Sequence, residues 1–159
     1  MTMTNGFTTA PRIASCSRAA ALFRWVVLVL GLMMVGAAHG KEFIVTTIID
    51  GVDANLGDNE CDVTAGSRVC SLRAAIQQAN ANGTPDVIRL SNETYQLTIP
   101  NSSPDDLAVR GDLDITSAIE IVGAGKGLTV INGNGGTTGD RVFHITNNAV
   151  VAMRGVTIT

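Results

Sequence analysis

Carboxylates are the groups of this chain best suited to chemistry, and they gather in two places. Asp50, Asp53, Asp58, Glu60 and Asp62 crowd one segment and could offer oxygen ligands to calcium. Their spacing fits no EF-hand loop, and solvated loop acids are the plainer reading. Asp105, Asp106, Asp112 and Asp114 form the second group, with Arg110 close by. Asp112 and Asp114 stand two apart, which on a strand directs both side chains to one face. Acids converging on one face, helped by a base, are what cleavage of an acidic polysaccharide requires. The alternative is an outward polar ladder beside inward-facing Leu113 and Ile115. Too little chain surrounds these residues to form a long substrate cleft, so no catalytic residue is assigned.

The other candidates are weaker. His144 alternates with Phe143 and Ile145 and is predicted to face solvent, without the partner a catalytic imidazole needs. Arg110-Gly111-Asp112 spells an integrin-binding tripeptide, a match short enough to arise by chance. Asn92-Glu93-Thr94 and Asn101-Ser102-Ser103 have the form of glycosylation sequons. Gly123-Ala124-Gly125-Lys126-Gly127 follows a strand but leads into another, Leu128 to Ile131, where a phosphate-binding loop needs a helix.

The first 40 residues read as a cleavable signal peptide. Arg12, Arg18 and Arg24 form a basic region, Trp25 to Val35 an apolar run, and Ala38-His39-Gly40 a small-residue cleavage site before Lys41. The run is shorter than the roughly 20 apolar residues of a membrane span. Cys16 precedes the run, so it is no lipoprotein cysteine. Cys61 and Cys70 remain in the mature part, an even pair suited to a disulfide in an oxidising compartment. A metal site is the lesser alternative, since no His or further Cys stands near to complete a tetrahedron. Three of the 11 Lys/Arg leave with the leader, so 8 face all 14 Asp/Glu, a formal balance of −6. That charge argues against nucleic acid and against an anionic membrane surface as partners.

These groups need elements to position them. Phe43 to Ile48 has strand composition, and Asp50 to Gly66 reads as a loop. Ser71 is a good N-cap for a single short helix in which Leu72, Ala75, Ile76 and Ala79 share one face. After Pro85 the pattern turns to period two in short runs separated by Gly/Asn corners such as Gly133-Asn134-Gly135-Gly136. Ile115-Thr116 and Gly123 return as Ile145-Thr146 and Gly155, offsets of 30 and 32 residues. Such a repeat points to a solenoid, with a β-sandwich as the alternative.

Cys70-Ser71-Leu72-Arg73-Ala74-Ala75-Ile76-Gln77-Gln78-Ala79-Asn80 resembles the signature of the CSLREA-type domain of secreted bacterial proteins. Phe43-x-Val45-x-Thr47, Asp50, Gly57-Asp58, Cys61, Pro85-Asp86-x-Ile88-x-Leu90 and Thr94-Tyr95 extend the match. Gly111-Asp112-Leu113-Asp114-Ile115 and Ile121-x-Gly123-Ala124-Gly125 look like the first coils of the pectin-lyase-like β-helix that follows such domains. Ala74 departs from the Glu of the family phrase. The resemblance implies an all-β, right-handed parallel β-helix (solenoid) with a short N-terminal capping helix, its loop tied to the cap by Cys61 and Cys70.

The expected organisation is a signal peptide over 1–40, a CSLREA-like cap over 41–90, and over 91–159 the first coils of a solenoid that is truncated here. The expected role is a non-catalytic scaffold, adhesin-like or ligand-presenting, exported to the cell surface or beyond. It would need no cofactor unless the loop acids bind calcium, and would meet a surface glycan or another protein. No membrane span would remain after cleavage at Gly40–Lys41, and further coils would follow the C-terminal end. The alternative is the N-terminal part of a polysaccharide lyase or hydrolase whose catalytic coils lie past residue 159.

Overall fold

Apolar side chains at every second position, in runs too short for a long strand, set the architecture. The computed structural model describes residues 40–103 and 105–159; residues 1–39 of the predicted leader (1–40) lie outside the described residues. In chain order the elements are β1 (Glu42–Ile44), α1 (Leu72–Asn82), β2 (Asp86–Arg89), β3 (Thr94–Gln96), β4 (Leu113–Ile115) and β5 (Ile119–Val122). They continue with β6 (Val130–Asn132), α2 (Gly135–Thr138), β7 (Phe143–Ile145), β8 (Val151–Arg154) and β9 (Thr157–Ile158).

Among the described residues all strand pairs are parallel and lie in three small sheets, ordered β1-β2-β5-β8, β3-β6-β9 and β4-β7. Register stacks like on like. Phe43, Ile88, Ile121 and Met153 form one apolar column across the largest sheet. Tyr95, Ile131 and Ile158 form another, and Leu113 faces Phe143 while Ile115 faces Ile145. The 30-residue repeat is therefore the register of the β4–β7 ladder. At the corner after β5 the repeat glycines touch: a Cβ on Gly123 would stand 2.3 Å from the carbonyl oxygen of Gly155.

The all-β, right-handed parallel β-helix expectation is corrected. The fold is mixed α/β, with short parallel strands in three small sheets, two helices among the described residues, and no closed solenoid. The sheets hold four, three and two strands, so β1 has no companion coil in the other two. Helix α1 packs against β2 and β4 instead. The predicted strand from Phe43 to Ile48 also stops early, at Ile44, and the Gly133–Gly136 corner contributes to a second helical turn, α2.

α1 begins where Ser71 Oγ accepts the Ala74 N–H at 3.0 Å and ends at Gly83, whose φ of 64° a residue with a Cβ adopts poorly. Leu72, Ala75, Ile76 and Ala79 are buried as the periodicity predicts. So are Arg73, Ala74, Gln77 and Gln78. A helix covered on the side opposite its apolar stripe needs partners for its polar groups, and those partners organise the site.

Candidate functional site

Arg73 lies fully buried on α1, and its five N–H donors all find acceptors. Nε and Nη2 donate to the two oxygens of Asp50 at 2.7 and 3.1 Å. The other three bonds reach the carbonyls of Ala108, Gly111 and Asp112 at 2.8 to 3.0 Å. Asp50 Oδ2 also accepts the backbone N–H groups of Thr98 and Ile99. One buried ion pair thus ties the segment after β1, the chain after β3 and the loop before β4 to the same helix face.

That loop is wound tightly around carboxylates. Asp105 accepts from the N–H groups of Leu107 and Val109. Ala108, at a φ of 53°, turns its N–H onto Asp114 Oδ2 at 2.8 Å. Asp114 is wholly buried on β4, and its other oxygen lies 2.9 Å from His144 Nδ1 on β7. The Asp106 carboxylate approaches the same nitrogen at 3.6 Å. The donor atoms of Asp106, Asp114 and His144 all lie within 4.8 Å of one another. Two carboxylates and an imidazole suit a divalent transition ion better than calcium, which prefers oxygen ligands throughout.

Beside this trio Asp112 is buried and accepts from Arg141 Nε at 2.5 Å. Burial pushes the Asp112 carboxyl above its ordinary range, outweighing the Arg141 hydrogen bond, and the nearby charges of Asp114 and Asp140 add to the rise. Asp140 is held by Asn101 Nδ2 at 2.8 Å. An open cavity of about 500 Å3 flanks the trio on its helix side, walled by Gln77, Asn80, Asp106, Leu107, Thr116 and Thr146.

The outward polar ladder predicted for Asp112 and Asp114 is thus overturned. Both are buried, because the 105–112 loop folds over their face of β4 and the Ala108 N–H donates to Asp114. The integrin-like tripeptide is likewise not displayed, since Gly111 and Asp112 are buried.

Cys61 and Cys70 are joined in a disulfide, as predicted. The five loop acids do not converge on one point. Asp50 serves Arg73; Asp53, Asp58 and Asp62 turn back onto backbone N–H groups; Glu60 faces Lys41 Nζ at 3.4 Å. Asp53 is pushed up by burial, against the pull of the Asn55 and Asp62 N–H groups, with Asp58 and Asp62 adding repulsion. Gly40 is exposed, and Lys41 sits at the head of β1.

Sequence reasoning missed the pairing of His144. The signal was present in the repeat: if Ile115 aligns with Ile145, then Asp114 aligns with His144, which is the register observed. No protein-family model matches the chain, and no curated protein or solved structure is detectably similar to it.

Proposed function

We propose that the chain is a non-catalytic scaffold that works outside the cytoplasm and presents its surface to a glycan or a protein partner. The observation that carries this reading is the commitment of its acids to structural partners. Asp112 is sealed by Arg141, Asp114 is held between the Ala108 N–H and His144, and Asp50 is consumed by Arg73. Glycoside hydrolysis canonically uses two carboxyls open to the sugar on either side of the scissile bond, and these three face the protein. Exposed charges pair across neighbouring strands instead, Glu42 with Arg89 and Glu120 with Arg154. The resemblance to the CSLREA-type domain and the Cys61–Cys70 disulfide support placement in an oxidising compartment. The scaffold role requires no cofactor.

The test is incubation of the exported protein with polygalacturonate and related acidic glycans, with and without calcium. The expected result is retention of protein on an immobilised glycan or protein surface with no new reducing or unsaturated ends. Turnover lost in Asp112→Asn or Asp114→Asn would overturn the reading in favour of a carbohydrate-active enzyme.

A further inference from the structure

Asp86 is a buried carboxylate, 1% exposed, with no Lys, Arg or His within ion-pair distance among the described residues. Its hydrogen bonds come from neutral groups: Thr84 Oγ at 2.9 Å, Asn82 Nδ2 at 3.1 Å, and the backbone nitrogen of Lys41 at 2.6 Å. Burying a carboxylate without a cation is costly. The geometry points to a cation supplied by processing: cleavage of the Gly40–Lys41 bond turns the Lys41 nitrogen into an α-ammonium that Asp86 captures as the mature N-terminus. This rests on the export reading, which places the cleavage at that bond.

Three further observations converge on it. Lys41 stands in register with Asp86, because its carbonyl accepts the Val87 N–H at 2.9 Å and Glu42 pairs with Val87. The ladder therefore fixes the nitrogen on the carboxylate. The Lys41 side chain is directed elsewhere, Nζ bonding the Asn59 carbonyl, approaching Glu60 and lying 5.4 Å from the Phe43 ring centre, so it does not neutralise Asp86. Residue 40 is crowded: a Cβ there would fall 1.5 Å from the Pro85 carbonyl oxygen, so only glycine fits while the bond is intact. Hydrolysis adds one water across the amide, leaves a carboxylate on Gly40, and converts a neutral N–H···O contact into a charge-assisted one.

The experiment uses the exported protein. N-terminal sequencing is expected to find Lys41 first. Transamination, which replaces only the α-amine by a carbonyl, is expected to lower the folding equilibrium constant about tenfold or more. In an Asp86→Asn background the same treatment is expected to change it little. Where Asp86→Asn does not fold, the α-amine's own titration serves. Asp86 is the charged group facing it, with Glu60 facing Lys41 Nζ, so its pKa is expected above the ordinary value of about 7.7–8.0. A start elsewhere than Lys41 overturns both the cleavage reading and the capture. A Lys41 start with no effect of transamination, or with an ordinary α-amine titration, overturns the capture alone.

Discussion

Asp114 and His144 are register partners across the β4–β7 ladder, with Nδ1 of the imidazole 2.9 Å from Oδ1 of a carboxylate that solvent does not reach. Two parallel strands in register place equal offsets on one face, so the contact follows from the ladder itself. His144→Ala removes one partner of a buried acceptor and is expected to cost about 1–3 kcal/mol. Asp106→Asn, at the exposed edge of the same cluster, is expected to stay within about 0.5 kcal/mol. Urea unfolding of the two variants checks this, and equal effects would mean that Asp114 does not depend on the imidazole.

Arg73 is the residue whose loss should be felt most widely. Arg73→Met leaves Asp50 buried without its cation and strands three loop carbonyls, for an expected loss of about 3–5 kcal/mol. Arg73→Lys is expected to recover only part of this, because an ammonium cannot fill five acceptors in a plane. Full recovery by lysine, measured by chemical denaturation, would show that charge alone matters there.

The Cys61–Cys70 bond closes a short loop, nine residues apart in sequence, against the start of α1. Replacing both by Ser is expected to cost roughly 2–3 kcal/mol through release of the unfolded loop. Mass mapping of non-reduced peptides should recover the pair. An unchanged denaturation midpoint would mean that packing alone holds the loop.

Gly155 carries a φ of 67° and sits where a Cβ would meet the Gly123 carbonyl oxygen at 2.6 Å. Gly155→Ala combines backbone strain with a collision against main chain and is expected to cost about 2 kcal/mol or more. Gly127, also at positive φ but with open space around its Cβ position, isolates the strain component. Gly127→Ala should therefore cost less, and thermal unfolding of the two variants side by side decides it.

Asp53, together with Asp112, sets the expected pH dependence. Burial raises each native carboxyl above the unfolded value, so over the window between the two the native state holds the proton more tightly. Stability contributed by each group is full below the unfolded pKa and falls as pH rises through the native one. Asp53→Asn is expected to flatten part of the stability profile just above about pH 4. A profile whose slope is unchanged in that variant would mean that another carboxyl controls it.

Local signals determined a good part of this molecule. The Ser71 cap, the Leu72-Ala75-Ile76-Ala79 stripe and the Gly83 stop lie within one stretch, and α1 forms there. The even cysteine pair and the alternation of short apolar runs were equally readable, since each depends on neighbours in sequence. The 30-residue repeat carried long-range information as well, because parallel register preserves offset. What the tertiary structure decided was everything that depends on which surface another segment covers. Period two predicts that Asp112 and Asp114 share a face, but not that a loop closes over that face. Nor does helical periodicity predict that Arg73, off the apolar stripe, is buried by Asp50 and three carbonyls. Covering those residues on all sides produced a mixed α/β fold in which a helix completes the core, where the strand pattern alone implied an all-β coil. Burial of a charge is a property of the surfaces that meet around it, and those surfaces come from residues that lie tens of positions apart.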